Sequence, residues 1–161
     1  MDSASLVAHA SLHPQQNLHT LFVYGSLMAD EVLRILLKRT PQSSDALLNG
    51  YQRLSIKRRV YPAIIPVDSK KVSGKILSGI KDFEMDILDA FEAVEYKRIT
   101  VEVSLMDGLE KLLAYAYVWG NEKDPNLYGD WDFEEWKRDY LEAYIKRVNK
   151  FMKEFEQQTT P

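Results

Sequence analysis

The sequence predicts an α+β fold: a small, mainly antiparallel or mixed sheet that curls, with helices packed outside it. Three observations lead there. Strand-like runs outnumber helical ones, and several are joined by short turns. The order of elements also lacks the strand–helix alternation of a doubly wound fold.

Leu21 to Tyr24 is a short continuous apolar run, the pattern of a buried strand. Asp30 to Arg39 follows as a helix, with Val32, Leu33, Leu36 and Leu37 at helical spacing and Pro41 ending it. "ALLNGYQRLSI", from Ala46, holds an Asn49-Gly50 turn signal between two strand-like pieces. "VYPAIIPV" is apolar but contains Pro62 and Pro66, which assigns it to an edge or an irregular crossing. "VSGKILSGI", from Val72, reads as a strand whose two glycines mark a bulge or a close backbone approach.

"DFEMDILDAFEAVEY", from Asp82, is a second helix, with Asp82 as its cap and Phe83, Ile87 and Phe91 at helical spacing. A hairpin comes next. Ile99, Val101 and Val103 alternate with polar residues, Asp107-Gly108 is the turn, and "LLAYAYVW" returns. The chain closes on a long amphipathic helix in which Asp132 and Glu135 have capping-box spacing. Phe133, Trp136, Tyr140, Tyr144, Val148, Met152 and Phe155 form its aromatic-rich stripe, which reads as a buried face rather than a partner-binding one.

At 161 residues, 45% apolar and 28% charged, the chain is expected to form one domain over residues 18–157, with a core that needs no metal or disulfide. The first 17 residues read as a loose tail rather than a signal peptide, and their histidines lack a rigid element to hold a metal. A net charge of −3 gives no reason to expect nucleic acid or an anionic membrane as partner. Lys57, Arg58 and Arg59 read as a solvated face. With no cysteine there is no disulfide framework, thiol nucleophile or thiolate metal site, which suits a cytoplasmic protein. No apolar run is long enough to span a bilayer.

Two features can carry chemistry. A strand turning sharply into a helix at Tyr24-Gly25-Ser26-Leu27 leaves backbone N–H groups pointing at one space, which is either a plain structural turn or a site for a carboxylate or phosphate. Gly25 would let a ligand come close. Ser26 is a poor nucleophile candidate, because the sequence has no G-x-S-x-G elbow and no base beside it.

The second feature is Glu92. Met85 and Leu88 continue to residue 92 at i, i+3, i+7, placing this carboxylate on an apolar stripe, with Asp82, Asp86 and Asp89 toward solvent. Facing apolar surroundings its pKa would rise toward neutrality, as a general acid or base requires. The bland alternative is that the helix ends by Phe91 and Glu92 points to water. Glu92 and Glu95 as a glycosidase pair fits poorly, since such carboxylates usually come from different elements across a cleft.

Taken together, "FVYGSLM", "LDAFEAVEYKRITVEV" and "WDFEEWKRDYLEAYI" resemble the gamma-glutamyl cyclotransferase-like superfamily, and within it the plant avirulence-induced-gene-2-like branch. The resemblance runs from about Thr20 to the end of the last helix. It implies a small mixed β-barrel flanked by helices, with a substrate pocket at one end. It implies Glu92 as the catalytic residue, Tyr24, Gly25, Ser26, Leu27, Met28 and Ala29 as the substrate-binding turn, and Tyr96 and Arg98 as pocket support. The implied reaction is cyclisation of a small γ-glutamyl substrate to 5-oxoproline without metal or cofactor. A protein that binds such compounds without turning them over, or serves in defence, is the alternative. Where the family commonly has glycine after Glu92, this sequence has Ala93, which would tighten the backbone if that position needs a positive φ.

Overall fold

In the computed structural model, which describes residues 17–106 and 110–159, five strands hydrogen-bond in a closed circuit. Strand β1 (Leu18–Val23) leads through a 3-10 turn (Ser26–Met28) into helix α1 (Asp30–Leu37). The long strands β2 (Ser43–Ile56) and β3 (Ala63–Lys81) follow, then helix α2 (Asp82–Glu92). Strands β4 (Tyr96–Leu105) and β5 (Lys111–Trp119), the short β6 (Leu127–Tyr128) and helix α3 (Phe133–Thr159) complete the order. The sheet runs β3-β1-β5-β4-β2-β6, and a β2–β3 pairing joins its ends into a ring. Only β1 and β5 pair in parallel, at Leu21 opposite Tyr115, so the sheet is mixed.

Period-2 alternation sorts the strand residues between two cores. Phe22, Ala46, Leu48, Ile64, Val72, Ile76, Val101, Val103, Ala114, Ala116 and Val118, all from ring strands, pack together inside the ring. Leu21, Val23, Leu77 and Tyr117 face outward, where the three helices cover them. The continuous apolar run in β1 thus reflects burial on both faces. Burying a side chain such as Phe22 or Leu21 is worth about 1.5–3 kcal/mol, so both cores contribute.

Several local expectations change. Asn49-Gly50 is no turn between strands. Gly50 has φ +84 and sits at a register shift between Asn49 and Tyr51, so β2 continues through a bulge. The reversal falls later, between β2 and β3, where Arg58 has φ +67. Pro66 pairs with Tyr51 on one side only, beyond the residues of β3 that pair with β1, as an edge proline should.

Both glycines of "VSGKILSGI" have the expected roles. A Cβ on Gly74 would lie 2.2 Å from the Val23 carbonyl oxygen, and Gly79 (φ +68) falls within the bulge opposite His19 and Leu21. Helix α1 stops at Leu37, short of Arg39, because Lys38 turns left-handed (φ 63). Arg39 thereby reaches the buried Glu84, with Nε and Nη2 at 2.8 and 2.7 Å from its carboxylate oxygens.

Asp82 does not cap α2. It meets His19 Nε2 at 2.6 Å, while the Lys81 amide donates to the Glu84 carboxylate at 2.9 Å. Phe83 is exposed rather than packed, and Glu84, Met85 and Leu88 form the buried face. The β4–β5 ladder pairs Tyr96 with Trp119 through Ser104 with Lys111, and its expected Asp107-Gly108 turn lies outside the described residues, as does the N-terminal tail. At the start of α3 the Glu135 amide donates to Asp132 Oδ2 at 2.8 Å. Trp136, Tyr144, Val148 and Met152 are buried against the outer core, whereas Tyr140 faces solvent.

Candidate active site

The turn that follows β1 is fastened from three sides. Arg53 Nη1 donates to the Tyr24 and Ser73 carbonyls at 2.9 and 3.0 Å, and the Tyr24 hydroxyl donates to the Tyr117 carbonyl at 2.5 Å. Pro62 presses on Gly25, where any Cβ would lie 2.8 Å from the proline Cδ and Cγ. Glycine is needed here for the approach of that ring, where the sequence pointed to a ligand.

Within the turn, the Met28 amide donates to the Gly25 carbonyl and the Ala29 amide to that of Ser26, at 2.9 and 3.1 Å. Those two amides are therefore occupied, and Met28 and Ala29 are not among the residues lining the pocket. The amides of Gly25, Ser26 and Leu27 carry no hydrogen bond to any described residue. They are the orphan donors expected at the start of a helical turn.

A cavity of about 200 Å³ opens over this turn. Tyr24, Gly25, Ser26 and Leu27 form one wall, and Tyr61 and Pro62 of the β2–β3 connection another. Phe91 and Glu92 bring in the end of α2, Ala93 and Glu95 the link that follows it and Tyr96 the start of β4, while Tyr117 comes from β5 and Tyr144, Arg147 and Phe151 from α3. Glu92 and the turn residues Tyr24–Leu27, 65 to 68 residues apart in sequence, therefore share one pocket, and the picture of Glu92 pointing to open water does not hold. Glu92 keeps some accessible surface and is one of the residues lining the pocket. Burial pushes its pKa up to about 8.

Four tyrosines surround this carboxyl group. Burial raises the pKa of the Tyr24, Tyr96, Tyr117 and Tyr144 hydroxyls, and the charge of Glu92 pushes each in the same direction. All four stay neutral and keep their protons. The Tyr96 hydroxyl donates to the Pro62 carbonyl at 2.7 Å, and Ser26 donates to the Tyr144 hydroxyl at 3.3 Å. Ser26 has no basic partner in this arrangement.

Arg98 does not line the pocket. It lies 3.4 Å from Asp89 Oδ2 and stacks over Tyr115, and Asp89 accepts a 2.7 Å hydrogen bond from Tyr117. Asp89, read as solvated, is half-buried for the same reason. Glu95 is held by both Arg59 nitrogens at 2.6 and 2.8 Å, so the Lys57–Arg59 cluster is not merely a solvated face. Ala93 takes φ 61, ψ −159, a region otherwise nearly reserved for glycine, and its amide donates to the Asp89 carbonyl at 3.0 Å.

Sequence reasoning missed Tyr61, Tyr117 and Arg147 as pocket residues, and saw Tyr144 only as part of a helix stripe. Among the described residues no three His, Asp or Glu side chains gather as a metal site, and no helix is long and apolar enough to cross a membrane.

A ring-closed mixed sheet whose pocket brings together unpaired turn amides and a carboxyl group of raised pKa has the features of a small-molecule site. The chain belongs to the gamma-glutamyl cyclotransferase, AIG2-like family, whose model matches residues 21–137. AIG2-like protein D of Arabidopsis thaliana is 55% identical over 138 residues, covering 85% of this chain and 91% of that protein. A solution structure of another Arabidopsis thaliana protein, 40% identical, superposes with a TM-score of 0.68 over 94% of this chain and 99% of that one. A solved gamma-glutamyl cyclotransferase, 14% identical, shares the fold at a TM-score of 0.53, over 82% and 86% of the two chains.

Proposed function

We propose that the protein is a γ-glutamyl cyclotransferase that converts a γ-glutamyl amine or γ-glutamyl amino acid to 5-oxoproline and releases the amine. The observation that carries this reading is the shared pocket of Glu92, with its pKa near 8, and the free amides of Gly25, Ser26 and Leu27. Family membership and the cyclotransferase-like fold support it.

In this scheme the substrate α-carboxylate docks on the turn amides, which are oriented donors at the start of a helical turn. Glu92 accepts a proton from the substrate α-ammonium. The freed amine attacks its own γ-carbonyl carbon, forming the new ring C–N bond, and the original amide C–N bond breaks. Glu92 returns that proton to the departing nitrogen, and the second proton, lost by the attacking amine as it becomes the lactam N–H, passes to the same nitrogen, which leaves as an ammonium, so atoms and charge balance. A pKa of about 8 lies close to that of an ordinary α-amino group, about 7.7–8.0, which suits the carboxylate to take the first proton. The nucleophile belongs to the substrate, so the scheme calls on no cofactor.

The enzyme's further contribution is to hold amine and carbonyl in contact. Well-oriented intramolecular reactions reach effective molarities of about 10⁵–10⁸ M. The tyrosine hydroxyls around Glu92 are neutral, so among these groups the carboxyl is the one whose proton moves.

The test is release of 5-oxoproline across a panel of γ-glutamyl compounds, with Glu92→Gln beside the parent protein. Product from the parent and none from a folded Glu92→Gln protein is the expected result. Equal activity in both would remove Glu92 from the mechanism, and binding without product in the parent would make this a γ-glutamyl-binding protein instead.

A further inference from the structure

Beyond the turn and Glu92, the pocket is lined by Glu95 and Arg147, and the Arg147 charge favours the Glu95 carboxylate without any ion pair between them. Glu95 is satisfied by its two-pronged contact with Arg59. Arg147 is different. Its guanidinium lies over the rings of Tyr61 and Tyr144, at 5.2 and 5.7 Å from their centroids, and no carboxylate of a described residue comes within ion-pair distance. Stacking of this kind holds the planar group in place while leaving its N–H edge free to bind. Five donors in a fixed fork match a carboxylate in two-pronged fashion.

Placement gives the arginine a particular half of the substrate. Tyr144 contacts Ser26 of the turn through its hydroxyl and carries Arg147 on its ring, so the turn and the arginine flank one tyrosine. The turn amides are taken by the glutamyl carboxylate in the scheme above, which leaves Arg147 for the other end of the molecule. Tyr144, Arg147 and Phe151 also lie beyond residues 21–137, so this wall is built by a part of the chain outside the family match.

We propose that Arg147 is a specificity residue that binds a carboxylate on the leaving half of the substrate, favouring γ-glutamyl amino acids over γ-glutamyl amines. Which half leaves rests on the cyclotransferase reading; the requirement for a second carboxylate can be measured by binding alone.

The experiment titrates Glu92→Gln protein, which does not consume its ligand, with γ-glutamyl-alanine and with γ-glutamyl-ethylamine, the same skeleton without the second carboxylate. Calorimetry or NMR should show γ-glutamyl-alanine binding about tenfold tighter or more, as a charge-assisted contact at a partly exposed rim allows. Adding Arg147→Gln should remove that preference by weakening γ-glutamyl-alanine alone, and Arg147→Lys should restore part of it. Equal affinities before Arg147 is changed, a parallel loss for both ligands, or no binding of either overturns the proposal. With Glu92 intact, Arg147→Gln should raise KM for γ-glutamyl-alanine about tenfold with kcat within about twofold, the weight of one such contact. If binding discriminates but no 5-oxoproline forms, the cyclotransferase reading fails and the assignment of Arg147 stands.

Discussion

The hydroxyls of Ser26 and Tyr144, 118 positions apart, meet at 3.3 Å and tie the turn after β1 to helix α3. This contact suits Ser26 to positioning, and the mechanism proposed for Glu92 gives the serine no part in bond making. Ser26→Ala should therefore lower kcat/KM by no more than about fivefold, the value of one ordinary hydrogen bond of about 1 kcal/mol. A loss of three orders of magnitude in a steady-state assay would instead mark the serine as a nucleophile and undo the mechanism proposed for Glu92.

Ala93 bears a cost that glycine would not. At φ 61, ψ −159 its Cβ is crowded by its own backbone, and residues held in such regions store about 1–3 kcal/mol. Ala93→Gly should raise the unfolding free energy by about 1 kcal/mol, less than the full strain because glycine also gains freedom in the unfolded chain. Urea unfolding with an unchanged m-value checks it. A destabilised Gly variant would mean that the alanine methyl group makes packing contacts worth more than the strain it brings.

Much of this site was legible in the chain, for reasons particular to each part. The apolar run ending in Tyr24-Gly25 and the 3.6-residue spacing through Met85, Leu88 and Glu92 are local patterns that singled out two candidate features but left each with a bland alternative, and only the fold brings both to one pocket. Arg147 is not legible in that way, since an exposed arginine on a long polar helix resembles every other until Tyr61 is brought beneath it. The Asn49-Gly50 signal failed for a different reason. A positive φ serves a two-residue turn or a bulge equally well, and the choice depends on whether the partner strand, here β3, continues alongside. Asp82 was misread as a cap because His19, 63 positions away, competes for the same carboxylate.

Gly74 is predicted to be the least replaceable glycine of the sheet. An alanine Cβ would sit 2.2 Å from the Val23 carbonyl oxygen and 2.9 Å from Phe22 Cζ, and the first of these belongs to the backbone of β1 and cannot swing aside. Gly74→Ala should cost about 3 kcal/mol or more, at the upper end of overpacking effects. Gly50→Ala is the control. Its Cβ would meet nothing within 4 Å, so only the positive φ opposes it, at about 1–2 kcal/mol. Equal losses for the two in denaturant unfolding would mean that the close approach of β3 to β1 is not what demands glycine at position 74.

Arg39 and Glu84 form the ion pair most enclosed by the fold, with the carboxylate 1% exposed and the guanidinium 38% exposed. Burial alone would raise the Glu84 pKa, but the hydrogen bonds from Arg39 and the Lys81 amide, with the nearby positive charges, bring it below its ordinary value. Removing one partner of a buried pair strands the other, at about 3–5 kcal/mol for full burial. Arg39→Ala should cost somewhat less, about 2–3 kcal/mol, because water reaches the arginine side. The loss should shrink as pH falls through the Glu84 pKa, where the native carboxylate becomes protonated and the pair's contribution disappears. A pH-independent loss would point to packing rather than charge.

Glu92 should show the opposite dependence. Its folded pKa of about 8 lies above the ordinary 4.5, so the native protein holds a proton that the unfolded chain releases between those values. Stability from this group is therefore present below about pH 4.5 and is lost as pH rises through about 8. Glutamine carries no such charge. The Glu92→Gln protein should match the parent near the acid end of that window and exceed it by a few kcal/mol above the window, since each pKa unit is worth about 1.4 kcal/mol. Every other titrating group is common to both proteins, so the difference between their stability curves isolates this carboxyl group. A difference that stays flat across the window would mean that Glu92 is well solvated in the folded protein, and the proton-transfer role proposed for it would lose its physical basis.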